Sequence, residues 1–226
     1  MGHRVAAKPK PKPRPRRAAP SGRRPARRRP GGRHVPRSRA VPAYGGPVAT
    51  TPYRARTAIL RDGHAVKVRA IRPEDDVALK RAFKRLSPRS RYLRLMQHKR
   101  ELDTRALARA VRPQAGREFA LVATVPDREG YDIVGAARYV QAEGDPAACE
   151  FAITVADDWA GKGLATTLLR SLMRRARSDG YARIEGAVLA YNDAMLALAR
   201  GLHFDIQWQP GDATLVQVRR QLIAGR

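Results

Sequence analysis

CEFAITVADDWAGKGLATTLLRSLM, residues 149–173, joins a strand to a long helix across a glycine turn. Cys149–Ala156 is a stretch of strand length, apolar or β-branched except at Glu150. The chain then passes through Gly161-Lys162-Gly163-Leu164-Ala165 into an amphipathic helix with an apolar face of Leu164, Leu168, Leu169, Leu172, Met173 and Ala176, ended by Gly180. Two glycines and an alanine leave the main-chain amides of the turn unshielded. The first amides of a helix have no partner within it, and the helix dipole adds positive potential there. Such a turn is suited to hold a phosphate, and Lys162 adds a full charge beside it. The plainer reading is a glycine turn that lets the helix pack closely on the sheet. The G-x-G-x-x-G dinucleotide pattern is not met, because Ala165 and Thr166 follow and Glu185 is the only acidic residue near the required spacing. No Gly-Lys-Ser/Thr occurs, which excludes a P-loop.

Outward from this junction, strands and helices alternate. On the N-terminal side AVKVRAI (65–71) reads as a strand. Pro73, Glu74, Asp75 and Asp76 open a helix, with proline early and acidic side chains at the positive end of the dipole. Val77, Leu79, Phe83 and Leu86 predict its apolar face. Ser87-Pro88 breaks it and starts a second helix through Tyr92 and Leu95; residues 103–112 form a third, capped by Asp103. EFALVATV (118–125) and DIVGAARYV (132–140) are strands bounded by turn signals at Asp127–Gly130 and Gly144–Pro146. On the C-terminal side ARIEGAVLA (182–190) is a strand and NDAMLALARGL (192–202) a helix capped by Asn192. FDIQWQ (204–209) and ATLVQVRRQ (213–221) are strands about a Pro210-Gly211 turn. No internal repeat occurs. The order predicts an α/β (α+β) domain over residues 57–226, a mixed sheet of about seven strands flanked by helices.

Residues 1–56 are of another kind. They hold 17 of the 46 Lys and Arg residues, 11 of the 17 prolines and no acidic residue, and so carry most of the formal charge of +26. Apolar surface is too scarce to offset the entropy of ordering this segment, and alternating prolines from Pro9 to Pro15 favour polyproline II. The expectation is a disordered basic tail. It is either a solvated leader or a non-specific nucleic-acid tether acting through phosphate contacts. Its only aromatics are Tyr44 and Tyr53, too few and too late for a base-stacking platform. The proline density also blocks the amphipathic helix of a transit peptide, and no apolar core for a secretory signal follows. No apolar run approaches the roughly 20 residues of a membrane span. A lone cysteine, Cys149, excludes an intrachain disulfide framework and a cysteine-rich zinc site, and fits a reducing, cytoplasmic setting. His64 and His98 lack ligand-spaced partners, so no metal is expected.

VADDWAGKGLATTLLRSLM resembles motif A of the GNAT superfamily of acyl-CoA-dependent N-acyltransferases. In that family a strand splays from its neighbour, and the [QR]-x-x-G-x-[GA] turn after it binds the CoA diphosphate through main-chain amides. The match is Ala160-Gly161-Lys162-Gly163-Leu164-Ala165. Gly163 and Ala165 meet the small-residue slots, and Ala160 stands where Gln or Arg is usual. VRAIRPEDDVALKRAFKRLSPRSRYLRLM, CEFAITVADDWAGKGLATTLL and AVLAYNDAMLALARGLHFDI are more closely similar to the GNAT domain of Pat-type bacterial protein lysine acetyltransferases. The resemblance spans about residues 66–222. It implies a GNAT-like, mostly antiparallel sheet and acetyl-CoA as co-substrate.

Direct acyl transfer needs a neutral amine, and a free lysine of pKa near 10.4 is neutral in about one molecule in a few thousand at pH 7. Supplying that form is worth roughly 4–5 kcal/mol, and a carboxylate beside the thioester can take the proton, directly or through a water. Glu150 is the candidate; the Pat-type domain carries its catalytic glutamate in this strand. Partial burial would raise its pKa toward the useful range, while ion pairing at a sheet surface is the alternative role. Asp157 and Asp158 are weaker candidates that equally suit the helix N-terminus. A free N–H near Val155 would meet the oxyanion. The resemblance further implies that the Thr154–Val155 main chain pairs with pantetheine and that Gly161, Lys162, Gly163, Leu164 and Ala165 hold the diphosphate. It also brings Asn192 to CoA near the reacting end, in addition to or instead of capping. Tyr191 is a candidate acid; the family's usual tyrosine slot holds Ala199. Cys149 alternates to the opposite face from Glu150 and reads as core. His203 stands where the family usually has glycine, as a turn residue.

The expected function is an N-acetyltransferase moving an acetyl group from acetyl-CoA to a primary amine, a protein lysine by branch resemblance. Two alternatives stand beside it: a small-amine (antibiotic or polyamine) acetyltransferase, and a non-catalytic GNAT-fold module that binds nucleic acid or a partner.

Overall fold

The computed structural model describes residues 52–95, 103–128, 130–209 and 212–222; most of the expected tail, residues 1–51, lies outside them. The strands are β1 (Arg56–Ile59), β2 (Ala65–Ala70), β3 (Glu118–Asp127), β4 (Gly130–Gln141), β5 (Ala148–Val155), β6 (Arg183–Leu189), β7 (Asp205–Gln209) and β8 (Asp212–Gln221). The helices are α1 (Asp76–Arg85), α2 (Pro88–Leu95), α3 (Thr104–Ala110), α4 (Leu164–Ser178) and α5 (Asp193–Gly201). All eight strands form one sheet in the order β1-β2-β3-β4-β5-β6-β8-β7. Every neighbouring pair is antiparallel except β5 and β6. The strand beyond the seven expected is β1. It begins inside the segment assigned to the tail and pairs with β2 through a turn at Leu60–His64. Arg56 there donates to the Ser171 hydroxyl of α4, and the ring of Tyr53 lies 5.6 Å from that of Phe119.

Alternation along the strands splits the apolar side chains between two layers. Leu121 and Ala123 pack into the core shared with α4 and α5, while Val122 between them packs with Ala78 of α1 and Ile133. The apolar face expected of α4 is buried in full, from Leu164 to Ala176. Each fully buried leucine there is worth about 1.5–3 kcal/mol relative to exposure. Among the described residues no helix is long and apolar enough to cross a membrane.

The acidic start of α1 does more than oppose a dipole. Asp75 is fully buried and accepts from Arg69 Nη2 and Nη1 (2.6 and 2.7 Å), the Tyr131 hydroxyl (2.6 Å) and the Arg72 N–H (2.7 Å). Burial alone would push its carboxyl up; the hydrogen bonds from Arg69, Tyr131 and Arg72 outweigh that and hold it below the usual carboxylate range. This knot ties β2, β4 and the entry to α1, and so sets the rotation of that helix. Val77 is consequently 64 % exposed, correcting its place on the expected apolar face; Ala78 faces inward in its stead, beside the expected Phe83 and Leu86.

Candidate active site

The sheet divides where its one parallel pair ends. β5 pairs with β6 over Ala148↔Arg183, Cys149↔Ile184 and Glu150↔Glu185 only, while β6 continues to Leu189 against β8. β5 runs on to Val155 held by β4 alone. At the two ends of that ladder Ala142 donates to Ala148 O and Ala156 to Val134 O (both 2.9 Å). Even-numbered β5 residues therefore turn their main-chain groups to β4, and Ile153 and Val155 turn theirs into the gap left by β6. The expected splay is thus a fork with its apex at Glu150 and Glu185.

The chain leaves β5 through a short 3-10 turn, Asp157–Trp159, and reaches α4 through the two glycines. Gly161 and Gly163 have φ of 76° and 86°, left-handed values that a side chain resists, so both glycines are required by the path of the turn. The first α4 amide satisfied inside this turn is that of Thr167, which donates to Gly163 O (3.1 Å). Those of Leu164, Ala165 and Thr166 precede any intrahelical acceptor. They open on a cleft of about 570 Å³ that runs from the fork to the turn. Thr154, Val155, Gly161, Gly163, Leu164, Ala165 and Asn192 all line it. Its other walls include Arg61, Arg170, Ser90, Leu93, Met195 and Leu198, none of which the sequence reading singled out.

Two of the expected site side chains do not line this cleft. Lys162 lies over the Trp159 ring (5.1 Å) and pairs with Asp62 (3.2 Å), so its charge is already met. Glu150 stands at the fork apex with its side chain exposed, which corrects the expected partial burial. By alternation it shares a sheet face with Ala152 and Thr154, which line an apolar cavity of about 280 Å³ under α1 and α3. Its neighbour Glu185 is buried and held by Arg183 (2.9 Å) and Arg219 (3.2 Å). The second carboxylate at the apex is therefore compensated. Main-chain pairing places Thr154 in the β4 ladder, leaving Ile153 and Val155 to face the gap.

The secondary candidates resolve in the same way. Asp157 accepts from Ser87 N–H (2.7 Å) and Ser90 hydroxyl (2.5 Å), clamping the start of α2 to the end of β5. Burial pushes its carboxyl up, but these bonds bring it below its usual range. Asn192 does cap α5, accepting from Met195 N–H (3.2 Å), while also lining the cleft. Tyr191 is exposed and shares a hydrogen bond with Tyr92 of α2; partial desolvation and that bond push its hydroxyl up. Ala199 is wholly buried. Cys149 is buried opposite Glu150, and burial pushes its thiol well up. His203 takes the helix-ending left-handed conformation, φ 55°.

Comparison with known proteins agrees with this geometry. The acetyltransferase (GNAT) family matches residues 82–204. Acetyltransferase PA5475 of Pseudomonas aeruginosa is 34% identical over 159 residues, 70% of this chain and 84% of that protein. The L-methionine sulfoximine/L-methionine sulfone acetyltransferase of the same species is 39% identical over 67 residues, 30% of this chain and 39% of its own length. Among solved structures, the GNAT domain of S. lividans PAT superposes with a TM-score of 0.68 at 23% identity, over 74% of this chain and 96% of that one. At that identity the likeness concerns the fold.

Proposed function

The chain belongs to the acetyltransferase (GNAT) family, and from that premise we propose that it moves the acetyl group of acetyl-CoA to a protein lysine by direct attack, with Glu150 as general base. The observation that carries this reading is the fork. It opens beyond Glu150 and turns the Ile153 and Val155 main chain into the gap, where the cleft leads on to a turn of unshielded amides; Glu150 stands at the apex, outside the cleft wall. The turn and the first α4 amides hold the diphosphate. The exposed main-chain edge of β5 pairs with the pantetheine arm. The acceptor nitrogen attacks the thioester carbon as Glu150 takes its proton, directly or through a water. Val155 N–H meets the oxyanion, the carbon–sulfur bond breaks, and a CoA thiolate leaves. The exposed Glu150 side chain is reachable by a lysine on another protein's surface. That access, and the fold likeness to the PAT domain, favour a protein acceptor.

A small amino-acid-like amine is the second reading. It rests on the partial likeness to the methionine sulfoximine enzyme and on the cavity behind Ala152 and Thr154. Acetyl incorporation from acetyl-CoA into proteome peptides and into L-methionine sulfone separates the two. Glu150→Gln should lower turnover on the true acceptor by about a hundredfold or more while CoA affinity stays unchanged. Full turnover in that variant would sink the mechanism. In this reading the transferase domain reaches back to Tyr53 and β1, and the basic residues before them form a tail that meets nucleic acid through phosphate contacts. Deleting residues 1–51, which spares Tyr53 and β1, should remove salt-sensitive DNA retention and leave turnover intact. The buried lone thiol suits a cytoplasmic setting.

A further inference from the structure

We propose that Arg61, on the β1–β2 turn, is a ligand of the acetyl-CoA diphosphate, so that the N-terminal hairpin supplies one wall of the donor site. The proposal rests on the reading of Gly161–Ala165 as the diphosphate cradle. Arg61 N–H donates to Lys162 O at 3.2 Å, which docks the hairpin turn directly on that cradle. Its side chain then runs across the left-handed glycine. A Cβ added at Gly163 would meet Arg61 Cγ at 3.3 Å and Cδ and Nε at 3.5 Å. The same side chain lines the cleft together with Gly161, Gly163 and the first residues of α4.

Charge points the same way. A diphosphate diester carries two negative charges at neutral pH, and main-chain amides offer only partial positive ones. Lys162, the cation adjacent in sequence, is occupied by Asp62 and Trp159. Arg61 has no carboxylate partner among the described residues, and a guanidinium forks onto phosphate oxygens in a way an ammonium does not. The turn that carries it is braced. Asp62 pairs with His64 Nδ1 (2.9 Å) as well as Lys162, accepts from His64 N–H (3.2 Å), and the His64 ring stands edge-on to Trp159 at 5.3 Å. Leu60 N–H donates to His64 O (2.9 Å) and Gly63 N–H to Leu60 O (3.1 Å), closing the turn on a buried Leu60. Asp62 and Lys162 thus act as positioning residues that hold Arg61 over the cradle.

Calorimetric titration of the full chain with CoA, 3′-dephospho-CoA and pantetheine tests this without knowledge of the acceptor. Arg61→Ala should weaken CoA and 3′-dephospho-CoA alike, by about ten- to a hundredfold, and leave pantetheine unchanged. Arg61→Lys should lose less. A loss confined to CoA would assign Arg61 to the 3′-phosphate and overturn the proposal. So would unchanged affinity for all three, or a matching loss for pantetheine, which signals a distorted cleft. Failure of the unaltered chain to bind CoA at all would instead remove the cradle reading beneath it.

Discussion

Replacing Asp75 by asparagine tests whether the acidic start of α1 is a structural knot or part of the chemistry. The side chain is wholly buried and Arg69 nearly so, with two guanidinium bonds of 2.6 and 2.7 Å between them. Asn keeps the shape and loses the charge. Its amide NH2 would face donors on Arg69 or Arg72, and the guanidinium would remain buried without a counter-ion. Removing one partner of a buried pair costs about 3–5 kcal/mol, a large part of the roughly 5–15 kcal/mol that holds a domain together. For a domain of this size that is a fall in Tm of about 10 °C. The pH dependence carries a second signature. Because the folded-state carboxyl lies below its unfolded value, its stabilisation is complete above the unfolded pKa of about 3.9 and is lost as pH falls through the folded one. The native chain should therefore lose stability in acid more steeply than Asp75→Asn, whose curve lacks that component. Urea unfolding from pH 7 down to pH 3 reads both effects. A loss under about 1 kcal/mol at pH 7, or parallel acid limbs, would refute the argument. CoA affinity at temperatures where the variant is folded should be unchanged.

The glycine turn and the end of α5 supply further tests. Gly161→Ala meets nothing within 4 Å and costs only its left-handed backbone, about 1 kcal/mol, whereas Gly163→Ala also crowds Arg61 Cγ at 3.3 Å; urea unfolding should rank Gly163→Ala as the worse by a small margin, and an Arg61→Ala background should abolish the difference. Reversed ranking would contradict the packing of Arg61 on Gly163. His203→Gly relieves a non-glycine residue at φ 55° and should raise stability by about 1 kcal/mol in the same assay, with turnover unaffected.

Much of this was legible before any coordinates. The 3.6-residue spacing of Leu164, Leu168, Leu169, Leu172 and Ala176 and the paired glycines before them are local facts, and local facts suffice for a strand, a turn and a helix. Asp103 and Asn192 were readable as caps for the same reason, since a cap acts within three residues. Strand β1 was not, because four residues, RTAI, carry too short a pattern and become a strand only against β2. Asp75 read as a dipole partner because its true partners, Arg69 and Tyr131, are joined to it by the sheet.

The order of elements, the burial of the α4 face and the exposed amides of the turn follow from residue type and spacing, which act over one or two turns of chain. Three features of the site do not. Glu150 meets Glu185 at the fork apex, Lys162 is spent on Asp62, and Arg61 lies across Gly163. Each joins residues far apart along the chain whose separation closes only when β1, β5 and β6 take their places in one sheet. A contact of that kind depends on register and strand order, quantities that no single segment encodes.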